Sequence, residues 1–320
     1  MMKKVVLGLM CAALLLWNIQ ARAETSWPQK SIQVIVPWNP GGGSDLSARI
    51  VMDKVAAILG QPVVITNISG AAGLNGALRV SSARPDGYTM LWEHPANLAI
   101  APAIGKAKFT WKDFEMAGSI GTSDIAVIVK GDAKWNSMKE IIDDIKAHPG
   151  QIKWSLGVNS ASHFTFLAIS DSMGGLKIMQ IPGAGDKARI INVMGGVCDI
   201  TTAGYAAVAP YAQSGDVKIL AMASPERSVL APRYPTLKEQ GINAESVFLY
   251  SAEFPKGTPR DVVSKFQSAI KQAVEDPGVI ELLKKQGIVA QYRDAATTSA
   301  IWAREADLYQ RLAKENRMIR

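Results

Sequence analysis

The sequence predicts a two-lobed α/β protein in which each lobe is a mixed, mostly parallel sheet flanked by helices. Short β-branched runs alternate with longer amphipathic runs through most of the chain, and no low-complexity linker interrupts them. A Gly-rich or Ser-rich turn also follows a predicted strand in each half. Strands that alternate with helical runs of about ten or more residues are typical of parallel sheets covered by helices.

The predicted elements follow this alternation along the chain. Strands are expected at 31–36, 63–66, 88–92, 124–129, 152–156, 177–181, 199–202 and 218–223. Helices are expected at 45–59, from the Gly-rich 70–76 segment to Ala83, and at 138–147, 259–275, 278–286 and 298–316. In the C-terminal part, Pro259 stands near a helix start and Gly287 stands just past a helix end, as their backbone preferences favour.

Two lobes without a flexible tether require the chain to cross between them at strands. We expect the crossings near 119–124 and 244–254. Residues 24–122 and 246–320 then form one lobe, residues 123–245 form the other, and a cleft separates them.

The first residues have the features of a secretory signal peptide. Two lysines precede an almost wholly apolar run from 5 to 17, and Ala21 and Ala23 stand at the −3 and −1 positions that signal peptidase prefers. The run is shorter than the roughly 20 apolar residues of a transmembrane helix. We therefore expect cleavage after Ala23 and a periplasmic mature protein, rather than an uncleaved anchor or a lipid attached at Cys11.

The composition narrows the possible partners. The chain has a net charge of +7, and the predicted leader holds three of its basic residues and no acidic one, so the mature charge is +4. No dense Lys/Arg stripe with interleaved aromatic residues accompanies this mild excess, which argues against nucleic-acid binding. Cleavage leaves Cys198 as the single cysteine, so no intramolecular disulfide is possible, and we expect a buried structural thiol there.

The first candidate site is the loop PWNPGGGSD at 37–45, between a predicted strand and a predicted helix. Its three glycines allow the backbone to approach a ligand closely, and the helix that follows offers unpaired N–H groups and the positive end of its dipole. Together these features are typical of an anion site. The loop matches neither a Walker loop nor Gly-x-Gly-x-x-Gly. The alternative is an ordinary tight turn in which Ser44 or Asp45 caps the helix.

The second candidate site is the segment SLGVNSASH at 155–163, which again follows a strand and opens a helix. Hydroxyl, amide and backbone N–H groups converge here without a fixed charge. Similar turns in both halves predict that a ligand with two separated carboxylates touches one helix start in each lobe. This position agrees with the preference of α/β proteins for ligands at the carboxyl ends of parallel strands.

An ordered set of short motifs makes the chain resemble a known family, the substrate-binding receptors of tripartite tricarboxylate transporters, also called Bug receptors. The resemblance runs from about Trp27 to the last helix. Each motif is ordinary alone, and the specificity lies in their order. They are PWNPGGGSD at 37–45 with Ala48 and Arg49, LGQPVV at 59–64, GAAGLNG at 70–76, PDGYT at 85–89, Ser160 with His163, Gly195 and Gly196 with Asp199, Pro235 and Thr236, and PKGTP at 255–259.

The resemblance implies a periplasmic-binding-protein (venus-flytrap) fold that binds a small carboxylate in the interlobe cleft and delivers it to membrane permease subunits. In that family the two loops hold the ligand, partly through ordered water. We also expect a monomer that uses no cofactor and no metal. Carried over to this chain, the implied ligand-binding residues are Trp38, Gly42, Gly43, Ser44 and Asp45 from one lobe and Ser155, Asn159, Ser160 and His163 from the other.

Three departures from the family pattern concern the identity of the ligand. PGAG stands at 182–185 where the family usually has Pro-Tyr-Lys-Gly, Leu-Tyr-Ser stands at 249–251 where Trp-Tyr-Gly is common, and Asn159 replaces a glycine. If the small residues of 182–185 line the cleft, the pocket is roomier and less cationic there. We then expect a larger or aromatic acid that stacks near Trp38.

Two other function classes remain open on sequence grounds. A receptor that presents its ligand to a sensor kinase would carry the same motifs, and neighbouring genes for permease subunits would distinguish transport from signalling. A hydrolase would need an activated nucleophile, but Ser160 lacks the Gly-x-Ser-x-Gly elbow. The three histidines have no second ligand at metal spacing, so a metal site is not expected.

Overall fold

The computed structural model describes residues 27–94, 96–183 and 185–319, except for the side chains of Ala72, Ala96 and Asn97. The predicted signal peptide and its cleavage site after Ala23 lie outside the described residues, as does Ala184 of the PGAG segment. Within the described part, no helix is long and apolar enough to cross a membrane.

Ten strands and ten helices make up the described part of the chain. The strands are β1 (Ile32–Val36), β2 (Val63–Asn67), β3 (Thr89–Glu93), β4 (Phe114–Lys130), β5 (Lys153–Leu156), β6 (Met179–Pro182), β7 (Ile200–Gly204), β8 (Val217–Met222), β9 (Val247–Pro255) and β10 (Ile288–Arg293). The helices are α1 (Gly43–Leu59), α2 (Leu74–Ser81), α3 (Ala101–Ala103), α4 (Met138–Ala147), α5 (Ala161–Ser172), α6 (Gly185–Met194), α7 (Tyr205–Ser214), α8 (Arg260–Val274), α9 (Pro277–Lys285) and α10 (Ala295–Glu315).

The sheet divides into two parts that share the long strand β4. One part has the order β2-β1-β3-β9-β4 with β10 also on β4, and the other has the order β4-β7-β5-β6 with β8 also on β4. β4 pairs with β9 from Phe114 to Asp124 and with β7 from Ile125 to Val129. The chain therefore passes from one part to the other within β4. The division into lobes 24–122 with 246–320 and 123–245 stays a prediction.

The sheet is mixed, as expected, but it contains more antiparallel pairing than the sequence pattern indicated. Among the described strands, β1 pairs in parallel with β2 and β3, and β5 pairs in parallel with β6 and β7. The antiparallel pairings all involve β4 or β9. The sequence pattern indicates only the second half of β4, and it predicts a crossing region at β9 and no strand at β10. Gly118 and Gly121 interrupt the apolar run at the start of β4, and glycine weakens strand character.

The C-terminal helix α10 packs across both parts of the sheet. Asp294 caps it by accepting a hydrogen bond from the Thr297 N–H at 2.7 Å, so the helix begins three residues earlier than expected. Trp302 on this helix is fully buried, and Tyr309 packs edge-to-face on Phe164 of α5 with ring centroids 5.1 Å apart. The helix therefore contributes to a hydrophobic core that includes residues of both parts of the sheet.

Cys198 is buried, as the sequence predicted, and three tryptophans also lie in the core. Trp92, Trp154 and Trp302 are fully buried, and Cys198 is a free, buried thiol. Burial raises the pKa of Cys198 to about 11, so the thiol is protonated and unreactive at neutral pH.

The close approach of β10 to β4 at Gly121 generates a prediction about stability. Gly121 has a φ of +147°, and a Cβ added there would lie 2.1 Å from the carbonyl oxygen of Val289. We expect Gly121→Ala to lower the free energy of unfolding by about 3 kcal/mol, because the backbone is strained and the strands must separate. Urea titration of the purified protein measures the loss.

Gly150→Ala is the matched control for this prediction. Gly150 has a φ of +80°, but no described atom lies within 4 Å of its Cβ position. The control should therefore lose only the backbone term, about 1 kcal/mol. Equal losses in the two variants would contradict the steric argument.

Candidate functional site

The loop between β1 and α1 presents a helix N-terminus without a side-chain cap. Gly42 is the N-cap residue, with φ −82° and ψ 169°, and α1 begins at Gly43. The alternative expectation that Ser44 or Asp45 caps the helix is therefore wrong. Residues 41–43 are exposed, and the first N–H groups of a helix have no partner within the helix. The loop can thus offer backbone donors and the positive end of the α1 dipole to an anion.

The buried side chain of Asp45 stabilises the conformation of this loop. Its side chain is 2% exposed, and its carboxylate accepts hydrogen bonds from the Gly41 N–H at 2.9 Å, from Arg49 Nε at 3.0 Å and from Asn67 Nδ2 at 3.0 Å. Burial alone would raise the pKa of Asp45, but these hydrogen bonds hold it below its usual value. The carboxylate already accepts these three hydrogen bonds, and its negative charge would repel an anion. These contacts favour a positioning role for Asp45 over direct contact with a ligand.

Trp38 belongs to an aromatic cluster beside the loop. Its ring stacks on His94, with centroids 4.9 Å and planes 9° apart, and its Nε1 donates to Glu93 Oε1 at 3.2 Å. His94 also contacts the rings of Phe248 and Tyr250, at centroid distances of 5.1 and 6.5 Å. Burial lowers the pKa of His94 to about 4, so this histidine is neutral at pH 7. It covers one face of the half-buried Trp38 ring.

The loop between β5 and α5 is closed by its own hydroxyl groups. The Gly157 N–H donates to Ser162 Oγ at 2.9 Å, and Ser160 Oγ donates to the Gly157 carbonyl at 2.6 Å. The Asn159 N–H donates to His163 Nδ1 at 3.2 Å, and burial lowers the pKa of His163. Its neutral ring therefore carries its proton on Nε2. Ser160 and His163 are each engaged with the backbone, which maintains the loop and does not activate a nucleophile.

The remaining residues predicted in this second loop lie at different depths. Asn159 has a φ of +61°, a conformation that Asn adopts more readily than most residues, which explains how it can replace a glycine. Ser155 is fully buried, and its hydroxyl accepts a hydrogen bond from Asn192 Nδ2 at 3.1 Å. Asn159 and Ser160 are part-exposed, whereas Ser155 lies beneath the surface of the loop.

Tyr250 lies between the first loop and the second part of the sheet. Its hydroxyl is 2.7 Å from the position that a Cβ on Gly43 would occupy, so the missing side chain at Gly43 leaves room for the phenol. Burial and the nearby carboxylate of Asp186 raise the pKa of Tyr250, and a hydrogen bond with Ser123 opposes the rise. Tyr250 therefore meets the first loop, the strand β4 and the start of α6 together.

Arg189 of α6 fills the space beside Gly183. A Cβ added at Gly183 would lie 2.5 Å from Arg189 Cγ and 2.5 Å from Ser155 Oγ. The Arg189 guanidinium donates to the carbonyls of Thr202 at 3.0 Å and Gly183 at 3.3 Å, and it forms an ion pair with Asp186. The expectation of a roomier pocket in this segment is therefore not met at Gly183.

The two loops meet through these residues. The Gly183 carbonyl lies 3.4 Å from the Cβ position of Gly157 in the second loop, and Asp186 connects Arg189 to Tyr250 beside the first loop. The sequence singled out both loops, but it missed His94, Asp186 and Arg189 as neighbours of the site. Tyr250 had a signal, since it stands at the Trp-Tyr-Gly position of the family pattern, but its role could not be derived from that.

Two arginines near the loops are already paired. Arg49 binds Asp45 and Asn67, and Arg189 binds Asp186. The described part of the chain also has no group of three or more His, Cys, Asp or Glu side chains placed to hold a metal ion. An anion between the loops would therefore be held by backbone N–H groups and hydroxyls.

The paired carboxylate of Asp45 generates a prediction about pH. Because its folded-state pKa is depressed, its contribution to stability is present above the unfolded pKa of about 3.9 and is lost as the pH falls through the folded value. We expect Asp45→Asn to lose about 2 kcal/mol at pH 7, since the amide places donors against Gly41 and Asn67. Denaturant titrations should show this difference shrinking below about pH 4.

Asp53→Asn is the control, because Asp53 lies on the same helix with an exposed side chain. It should change stability by less than about 0.5 kcal/mol at any pH. A difference between wild type and Asp45→Asn that stayed constant down to about pH 2 would show that the charge of Asp45 is not what stabilises the loop.

Comparison with known proteins places this chain in a family. The profile of the tripartite tricarboxylate transporter family receptor, TctC, matches residues 47–318. Two relatives from Bordetella pertussis strain Tohama I are similar over most of their length. One, described as a UPF0065 protein, is 31% identical over 279 residues, which cover 86% of each chain. The other, the protein BugT, is 28% identical over 271 residues, which cover 82% of each chain.

Solved structures share the fold. A TctC solute-binding protein from Polaromonas has a TM-score of 0.80 at 27% identity and covers 91% of this chain and 100% of its own. MatC from Rhodopseudomonas palustris, with bound malate, has a TM-score of 0.75 at 23% identity and covers 89% and 99%. A second R. palustris protein, with adipate, has a TM-score of 0.76 at 22% identity and covers 90% and 97%.

These similarities confirm the two-lobed periplasmic-binding-protein fold expected from the sequence. The family and the fold are those of extracytoplasmic solute-binding receptors and not of enzymes. Since the family profile covers most of the chain, the protein belongs to the tripartite tricarboxylate transporter receptor (TctC) family, to which the Bug proteins are related.

Proposed function

We propose that this receptor captures a small di- or tricarboxylate between its two loops and delivers it to the membrane permease of a tripartite transporter. The observation that carries the proposal is the uncapped N-terminus of α1, where exposed Gly42 and Gly43 lie beside Tyr250. Backbone N–H groups at a helix start are well suited to a carboxylate, which accepts charge-assisted hydrogen bonds.

The second loop supplies the other half of this proposed site. Asn159 and Ser160 are part-exposed at the start of α5. A ligand with two carboxylates can place one at each helix start. The positive end of each helix dipole, equivalent to roughly half an elementary charge, then faces one carboxylate.

Among the side chains described at the loops there is no unpaired Arg or Lys. This agrees with a receptor that must release its ligand to a transporter. A carboxylate held by backbone donors loses most of its binding energy when the lobes separate, because the two sets of donors move apart. The ligand must therefore bind the closed state more tightly than the open state for capture to occur. β4, which belongs to both parts of the sheet, is the natural axis for this movement.

Similar structures support an aliphatic dicarboxylate. MatC holds malate and the second R. palustris protein holds adipate, two aliphatic dicarboxylates of different length. In this chain Arg189 already fills the space beside Gly183, so the departure at Gly183 does not by itself enlarge the pocket. An aromatic acid is the second candidate, favoured by the half-buried ring of Trp38 in its stack with His94.

Receptors of this family are periplasmic, and we propose that this chain reaches the periplasm after cleavage behind Ala23. The mature protein would then act as a monomer. This part of the proposal rests on the charged, apolar and small-residue segments of the predicted leader.

Thermal unfolding against a panel of acids tests the ligand. We expect a linear dicarboxylate at 100 times its Kd to raise Tm by about 5 °C, since it adds about 2.7 kcal/mol to a chain of this size. Matched monocarboxylates of the same length should give smaller shifts, because they reach one helix start only. Shifts from aromatic acids alone would favour the second candidate, and no shift from any acid on ligand-free protein would overturn the carboxylate assignment.

Gly43→Ala tests the first loop as the anion site. The added Cβ would stand 2.7 Å from the Tyr250 hydroxyl and displace the loop or the phenol. We expect at least about tenfold weaker binding of the best dicarboxylate by calorimetry, a loss of about 1.4 kcal/mol. Tyr250→Phe in the same chain removes the clashing oxygen and should restore part of the affinity.

Gly60→Ala is the control at the other end of α1. Gly60 is the C-cap residue with a φ of +68°, and no described atom lies within 4 Å of its Cβ position. This variant should lose stability through backbone strain but keep its affinity. Equal losses of affinity in both variants would mean that the N-terminus of α1 is not the site.

A further inference from the structure

A cavity of about 580 Å³ lies on the opposite face of β4 and β9 from the two loops. Successive side chains of a strand point to opposite faces. Phe248 and Tyr250 of β9 contact His94 beside the first loop, whereas Val247 and Leu249 line the cavity. We call this space the hinge cavity, because it lies on β4, the strand that the two parts of the sheet share, and on its neighbour β9.

The walls of the hinge cavity are those of a small-molecule site. Its volume is far larger than the roughly 30 Å³ that one water molecule occupies and falls in the range of ligand pockets, about 300–1,000 Å³. α10 forms one wall, the segment 224–229 after β8 forms another, and exposed residues of that segment form the rim. The apolar residues that line it are Pro225, Val229, Val247, Leu249, Val289, Ile301 and Leu308.

Several buried polar atoms that line this cavity have no hydrogen-bond partner among the described residues. They are Asp124 Oδ2, Ser224 Oγ, Arg293 Nη1 and Glu305 Oε2. Asp124 is only 4% exposed and Ser224 only 5%. A buried polar atom without a partner costs about 1–3 kcal/mol, so their concentration in one cavity indicates a site that is completed by a bound molecule.

Two acidic side chains of the cavity lack an ion-pair partner in the described part of the chain. Among the described residues, no ion pair involves Asp124 or Glu305, and the neighbouring cation Arg304 pairs with Glu245 at 3.2 Å. Burial raises the pKa of Asp124 and raises that of Glu305 to about 8. A hydrogen bond with Ser228 opposes the rise in pKa at Asp124. A cation beside either carboxyl group would favour its charged form and supply a donor to its unpaired oxygen.

Arg293 stands too far away to be that cation. It pairs with Ser119 of β4, five residues before Asp124, which is roughly 15 Å along the strand. Its Nη2 donates to Gln291 Oε1 at 2.6 Å. The described side chains of Asp124, Glu305 and Arg293 therefore line the same cavity without forming an ion pair with one another, and apolar side chains complete its walls.

We propose that the hinge cavity is a second binding site that takes a small organic amine, whose ammonium group donates to Asp124 and Glu305 and whose hydrocarbon body packs on Leu249, Ile301 and Leu308. An ammonium has three N–H donors, which match the two unpaired carboxyl oxygens and the Ser224 hydroxyl. The inference is independent of the ligand of the main cleft, because the two sites lie on opposite faces of the strands.

Calorimetry with hexylamine and its neutral analogue 1-hexanol tests the proposal on the mature protein. At about pH 8 Glu305 is half ionised and the amine is protonated. We expect hexylamine to bind with a Kd below about 1 mM and 1-hexanol to bind at least about tenfold more weakly. Glu305→Gln and Asp124→Asn should each weaken the amine at least about tenfold, because each removes one acidic partner.

Two further variants locate the site. Glu226→Gln removes a charge from the exposed rim and should leave the affinity for hexylamine within about twofold, since an exposed charge is screened by solvent. Ile301→Trp fills the cavity without changing a charge and should abolish binding. Thermal unfolding checks that each variant is folded, and Glu305→Gln should be at least as stable as wild type because it removes a buried unpaired acid.

Any of three results would overturn the proposal: no binding of hexylamine up to about 10 mM, equal affinity for 1-hexanol, or equal loss in Glu226→Gln and Glu305→Gln. Binding that survives Ile301→Trp would place the amine elsewhere and would also overturn it. None of these results bears on the carboxylate site, which the acid panel and the Gly43→Ala variant test separately.

Discussion

β4 and β9 run side by side from Phe114 to Asp124, and the other parts of the molecule are arranged around this pairing. Beyond Asp124, β4 continues into the second part of the sheet, where it pairs with β7 and β8. Because successive side chains point to opposite faces, the two strands contribute residues to a different site on each face. Tyr250 and Ser123 face the loops, and Leu249 and Asp124 face the hinge cavity. The same strands therefore position both candidate sites and separate them.

The first loop shows how an anion site can be built next to a buried carboxylate. Asp45 is negative, yet its charge is matched by Arg49 and by two further donors, so it stabilises the loop from beneath. The exposed surface is left to glycine backbone. His94 and His163 are kept neutral by burial, and therefore add no charge of their own. The electric field at the loop therefore comes mainly from the α1 dipole, and it is weaker than the field of a cluster of arginines. A weaker attraction suits an anion that must be captured and later released.

The segment 182–185 shows why the size of a residue does not predict the size of a pocket. Gly183 stands where the family usually has tyrosine, and the sequence alone indicated extra room. In the fold, Arg189 turns back from α6 and occupies the volume beside Gly183, with its guanidinium on the Thr202 and Gly183 carbonyls. Interiors are close-packed, so a small residue at one position is commonly matched by a larger neighbour from another element.

Sequence reasoning succeeded where the determinants are local. The period of the apolar residues located most strands and helices, and the glycines at 41–43 and the Ser-rich turn at 155–163 marked both loops because their special backbone is encoded in those residues themselves. It failed at the start of β4 and at β10, where strand character depends on a partner. Gly121 can pair closely with β10 only because it has no side chain to meet the Val289 carbonyl.

The sequence by itself determined the fold class, the family and the two loops that present helix N-termini. Only the tertiary structure decided which groups surround them, since Tyr250, His94 and Arg189 come from three elements far apart in the chain. It also decided that Ser155 lies beneath its loop and that Asp124 and Glu305 share a cavity. The physical reason is that a residue's backbone preference is local, whereas its burial, its charge state and its contacts depend on which distant segments fold against it.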